Sequence, residues 1–165
     1  MNKNTETKKG RPKKIVYQPG TESISYAKKA LKNYIEMKKE CRGFERENQR
    51  LIKSINVMSL VKDEESPDWQ RIPAAMLDLM DEYLEMKEQI FLVCSSLEGL
   101  PEEIKSVIEY RCIQGHSIWE TAEHLQISDS SVKRRQNEGI RLIAEQVEFY
   151  MWVKAARALG ITENA

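Results

Sequence analysis

Two helix starts follow each other closely near the C-terminal end, Ser117-Ile118-Trp119-Glu120 and Ser128-Asp129-Ser130-Ser131, joined through Leu125-Gln126-Ile127. A serine at a helix start accepts a hydrogen bond from otherwise unpaired backbone N–H groups, and Glu120, three residues after Ser117, completes a capping box. Ile127 and Val132 flank Ser128 at the spacing of a hydrophobic staple, which fixes how the second helix leaves the turn. Ala122 is small where two helices would cross closely. A short helix, a tight turn and a second helix over about Ser117 to Arg141 make a helix-turn-helix.

The two faces of the second helix differ in chemistry. Val132, Gly139, Ile140 and Ile143 fall on the inward side. Ser130, Lys133, Arg134, Asn137 and Arg141 fall on the other, a row of side chains suited to base edges and phosphates of double-stranded DNA. Lys133 or Arg134 suits guanine, Asn137 suits adenine, and the hydroxyls of Ser130 and Ser131 suit either a base or a phosphate. Arg135, Arg141 and Ser117 are the expected phosphate contacts. Trp119 is expected to be partly buried against a neighbouring helix, and His116 and His124 to be surface residues.

A net charge of zero hides a strong asymmetry: residues 1–53 hold 15 Lys+Arg against 6 Asp+Glu, and residues 54–165 hold 11 against 20. A basic half is an electrostatic footprint for a polyanion or an acidic partner surface. Within it, Lys8-Lys9-Gly10-Arg11-Pro12-Lys13-Lys14 is similar to an AT-hook, in which an extended backbone lets an arginine enter the narrow minor groove of A·T-rich DNA. Lys9, Gly10, Arg11, Pro12 and Lys13 are therefore candidate minor-groove residues, with a merely solvated tail as the alternative.

The expected fold is all-α in four parts. Residues 1–22 form a basic arm with little to bury, expected to be disordered. Residues 23–98 form a long helical hairpin. Its first helix is capped by Ser23 or Ser25, with Gly43 as a weak point, and runs to about Leu60; an acidic loop over Asp63–Asp68 follows. Pro73 begins the second helix, where Met76, Leu79, Tyr83, Met86, Ile90, Val93 and Leu97 keep coiled-coil spacing. That seam serves either an intrachain antiparallel hairpin, pairing the basic helix with the acidic one, or a homodimer. Residues 99–147 hold the helix-turn-helix, preceded by a helix that Pro101 starts and Gly115 ends. Residues 148–165 extend the last helix, with Tyr150, Met151 and Trp152 expected to cap the hairpin or to join two subunits.

Cys41, Cys94 and Cys112 are an odd number without a CxxC pair, and two histidines lack zinc-ligand spacing, so reduced cysteines and no metal are expected. No apolar run has the length of a signal peptide or a membrane span, which reads as a soluble intracellular protein without membrane contact. No nucleotide-binding or hydrolase motif is present, and neither an enzyme nor a cofactor is expected.

Leu100-Pro101-Glu102-Glu103 through Gly115-His116-Ser117, Ala122-Glu123, Leu125, Ile127-Ser128 and Val132-Lys133-Arg134-Arg135 resemble region four of bacterial sigma factors, which reads the −35 promoter element. Thr121 and Trp119 depart from that pattern, which usually has an aliphatic and a polar residue there; a slightly rotated first helix, or a Trp119 presented to a partner, follows. With the basic Tyr34-Ile35-Glu36-Met37-Lys38-Lys39-Glu40 helix, the whole chain resembles RinA-type and ArpU-type regulators of temperate bacteriophages. That resemblance implies an activator of phage or prophage late genes, working in the cytoplasm of a bacterial host beside its RNA polymerase. A small terminase subunit for DNA packaging, and a protein that binds polymerase or sigma factor without touching DNA, are the rival readings.

Overall fold

The computed structural model describes residues 18–50, 52–53 and 74–160, which are helical apart from short turns after residue 98 and around residues 18–20 and 48, and contain no strand. Helix α1 spans Thr21–Glu47 and α2 spans Ala74–Glu98. Helix α3 spans Glu102–Ile108 and continues through a π-helical turn, Glu109–Ile113. Helices α4, Ile118–Leu125, and α5, Asp129–Ala158, follow. The arm residues 1–17, the expected end of the first helix over 54–60, the loop over 63–68 and Pro73 lie outside the described residues. No helix among the described residues is long and apolar enough to cross a membrane.

Helix α1 starts two residues before Ser23, and its cap comes from a distant part of the chain. Gly20 at the N-cap has no side chain to offer. Instead Glu148 of α5 accepts from the Gly20 N–H and from the Ser23 hydroxyl. A carboxylate at a helix N-terminus satisfies orphan donors and opposes the positive end of the helix dipole, which moves the start ahead of the serines. Gly43 does not interrupt α1. The break falls at Asn48, whose backbone N–H and side-chain amide both donate to the Phe44 carbonyl.

The hairpin pairing is present, with α1 and α2 antiparallel. Cys41, Met80 and Tyr83 are buried together, flanked by Phe44, Leu77 and Ile90, and the Phe44 and Tyr83 rings stack with centroids 5.2 Å apart. The expected seam is out of phase at its start: Leu79 is 40% exposed and Met80 only 4%. Met86 and Ile90 are half-buried, and the Met76 side chain lies outside what is described. At that start Met80 packs on Cys41 of α1, and farther along α2 is covered on two sides. Val93 and Leu97 join the core shared with α1, while Leu92 and Ser96 are buried towards α5. The charge pairing is also the reverse of the bulk pattern. An acid of the basic helix, Glu45, accepts from Tyr83 at 2.9 Å and from Lys87 of the acidic helix at 3.1 Å. Those two donors hold the Glu45 carboxyl below its usual range.

Helix α5 is the hub. One cluster joins Ala27, Ala30 and Leu31 of α1, Val93 and Leu97 of α2, Leu100 of the following turn, Ile104 and Ile108 of α3, and Ile140, Ile143, Ala144 and Val147 of α5. Burying an aliphatic side chain of this size stabilises by about 1.5–3 kcal/mol, so this cluster, and not helix propensity, sets the positions of the helices. Farther along α5, Tyr150 donates to Glu88 of α2 and Lys154 pairs with it at 2.8 Å. Tyr150 thus braces the hairpin as expected, whereas Phe149 and Trp152 remain about two-thirds exposed at 67% and 68%.

Gly139 marks the closest approach of α3 to α5. A Cβ built there would lie 2.6 Å from Ile108 Cγ1 and 2.9 Å from Ile104 Cγ2. Gly139→Ala is therefore expected to lower unfolding free energy by about 1–3 kcal/mol, overpacking outweighing the roughly 1 kcal/mol gain in helix propensity. A urea unfolding midpoint measures it, and an unchanged or raised midpoint would contradict the close approach.

Candidate nucleic-acid interface

The turn before α4 is fixed from three sides. The π-helical turn closes with a Gln114 N–H to Glu109 carbonyl bond, Gly115 takes φ +80, and Arg111 Nη1 donates to the His116 carbonyl at 2.8 Å. The Tyr110 ring stacks on His116 at 4.8 Å and on His124 at 4.0 Å between centroids. The histidines expected at the surface therefore also clamp a tyrosine, and His116 is half-buried.

Helix α4 then begins on the predicted capping box. Ser117 Oγ accepts from the Glu120 N–H at 3.1 Å, and the Glu120 carboxylate accepts from the Ser117 N–H at 2.6 Å. The Ser117 N–H, bonded to it, holds the Glu120 carboxyl below its usual range. Ser117→Ala should cost about 1 kcal/mol of stability. Thermal unfolding measures it, and no loss would mean that the cap is replaced by water.

The two departures at Thr121 and Trp119 have one explanation. Thr121 is fully buried, with its hydroxyl donating to the Ser117 carbonyl at 2.8 Å, so a polar side chain fills an aliphatic site without leaving a buried donor unpaired. Trp119 is 65% exposed, contrary to the expectation of burial, because α4 turns Thr121 and Ala122 inward and Trp119 lies away from them.

The turn and staple form as the sequence requires. Gln126 ends α4 in the left-handed region at φ 54, and Ala122, Val107 and Val132 are buried together with Ile118, Leu125 and Ile127 around them. Ser128 caps α5, its Oγ accepting from the Ser131 N–H at 3.2 Å and contacting the hydroxyls of Ser130 and Ser131 at 3.0 and 2.9 Å.

On the outer face of α5, Ser130, Lys133, Arg134 and Asn137 are all exposed and share one side, with Ser131 half-buried beside them. Val132, Gly139, Ile140 and Ile143 are buried behind. Arg135 is turned to α3 and pairs with Glu103 at 3.0 Å. Arg141 is half-buried and pairs with Glu145 at 3.1 Å. Ser117 spends its hydroxyl oxygen as the α4 cap. The exposed cations of this face are thus Lys133 and Arg134. Lys9, Gly10, Arg11, Pro12 and Lys13 lie outside the described residues.

Lys28 and Lys32 of the basic helix α1 line a cavity beside α5 together with Arg111. Their spacing of one helical turn was the available signal; that Arg111 joins them depends on tertiary packing.

Residues 96–145 match the family model "Sigma-70, region 4". The chain is also similar to the ECF RNA polymerase sigma factor SigX of Bacillus subtilis (strain 168), with 34% identity over 70 residues, 42% of this chain and 36% of that protein. It therefore spans about a third of the length of that curated relative. No solved structure matches significantly. Residues 96–145 are a sigma-region-four-like helix-turn-helix, a DNA-binding, transcription-related type of module.

Proposed function

We propose that the chain is a sequence-specific DNA-binding transcription regulator, and that it activates late genes of a phage or prophage. One observation carries the reading of DNA. The exposed side chains of the second helix, Ser130, Lys133, Arg134 and Asn137, are those able to read base edges, on a helix whose entry angle is fixed by cap and staple. The α5 helix enters the major groove with this face forward. RNA polymerase is the partner, met through the hairpin or the acidic surface, and the resemblance to phage regulators over the whole chain supports the activator role. Two subunits on adjacent half-sites would supply affinity that one short basic face lacks.

Purified chain added to bacterial RNA polymerase, on a template with its bound site upstream of a promoter, tests this reading. Increased transcript is expected. Unchanged or reduced transcript would contradict activation. Mass in solution separates the packaging alternative, since a monomer or dimer is expected and a large ring would contradict the regulator.

A further inference from the structure

Between α1, the π-helical turn and α5 lies an open cavity of about 420 Å³, lined by Lys28, Leu31, Lys32, Arg111, Cys112, Gly115, Gln136 and Ile140. Three of those residues are cationic and none is a carboxylate, although residues 54–165, which supply most of the lining, carry 11 basic against 20 acidic residues. Neither lysine has an ion-pair partner among the described residues. The Arg111 guanidinium is held through Nη1 to the His116 carbonyl, and its Nε is buried without a partner. A buried cationic donor left unpaired is costly, and an anion in contact with the group offsets that cost. Burial pushes the Cys112 thiol up, against the pull of Arg111 and Lys28, so it stays neutral at pH 7 and adds no negative charge.

The position relative to the reading face gives the cavity a use. At 3.6 residues per turn, Ile140 lies about a quarter-turn and Gln136 about a third of a turn, on the same flank, from the row of Ser130, Asn137 and Arg141. A helix in the major groove presents its bases-facing row to the floor and its flanks to the phosphates of the walls. We propose that this cavity binds a phosphoryl group, and that, resting on the DNA-binding reading above, the group is a backbone phosphate beside the groove that α5 enters. The two lysines come from the basic N-terminal half, so this is where that half adds affinity to a helix-turn-helix with two exposed cations. Arg135 and Arg141 are less available for the same task, being paired with Glu103 and Glu145.

Two measurements on the full chain test it. The first is the salt dependence of binding to a short duplex of random sequence, which needs no knowledge of the specific site. In Lys28→Ala/Lys32→Ala the slope of log K against log salt should become shallower by about two, and Lys28→Arg/Lys32→Arg should restore it. The second is the NMR cross-peak of the Arg111 Nε–H during titration with inorganic phosphate. It should shift in the native chain and in Lys133→Ala/Arg134→Ala, and stay still in Lys28→Ala/Lys32→Ala. A shifting peak with an unchanged slope identifies free phosphate as the ligand. An unmoved peak with an unchanged slope overturns the proposal while leaving the DNA-binding reading intact. A native chain that ignores the duplex but shifts the peak refutes that reading and keeps the phosphoryl site. Both lysines are exposed, so loss of fold does not confound the alanine variants.

Discussion

Lys133→Ala and Arg134→Ala should each weaken binding to the chain's specific duplex by about 1–3 kcal/mol, roughly 5- to 150-fold, while weakening binding to random duplex much less. The size follows from the loss of base contacts, because a side chain paired with a base edge contributes discrimination that a phosphate contact does not. Both residues are exposed near the start of α5, and neither is paired with a carboxylate among the described residues. Arg135→Ala and Arg141→Ala are expected to have smaller effects, since each must first give up Glu103 or Glu145 to reach DNA. Titration of labelled duplex measures all four. Equal losses on specific and random duplex would move Lys133 and Arg134 from base reading to phosphate contact.

The largest effect on stability is expected from Ile108→Ala, about 2–5 kcal/mol. Ile108 is fully buried, belongs to the cluster that joins α1, α2, α3 and α5, and fills the space that Gly139 leaves open. Truncation leaves a cavity at the crossing of α3 and α5, where little can collapse because α1 and α2 hold the other sides. Leu79→Ala, at a site 40% exposed, should cost under about 1 kcal/mol although the sequence pattern gives it seam status. Urea unfolding compares them. Similar losses at both positions would return Leu79 to the seam and contradict the phase of α2 seen in the structure.

What the sequence disclosed was local. The box at Ser117 and Glu120, the cap at Ser128, the staple of Ile127 and Val132, and the stop at Gly115 each depend on residues within one turn, and all are found. The outward row on α5 was legible because helical period alone separates it from Val132, Gly139 and Ile140. What depended on distant packing was not legible. Glu148 sets the start of α1 across the length of the chain, and the packing of α2 on Cys41 and Phe44 of α1 buries Met80 in place of Leu79. The π-helical turn over Glu109–Ile113 has no signature in residue type, and it places Arg111 beside Lys28 and Lys32. Trp119 fell to the wrong side because a buried Thr121 with a satisfied hydroxyl is rarer than a buried tryptophan. The ion pair of Arg135 with Glu103 likewise needs a partner that only the folded chain brings near, whereas Glu145 lies one turn from Arg141 on the same helix and was within reach of the helical period.

The central claim is that α5 reads sequence through a fixed face. Selection from a pool of random duplexes by the full chain, followed by sequencing of the bound fraction, tests it most directly. The account predicts enrichment of a short contiguous motif that Lys133→Ala/Arg134→Ala degrades at specific positions. A bound pool without enrichment, or one whose motif is unchanged in that variant, would contradict it.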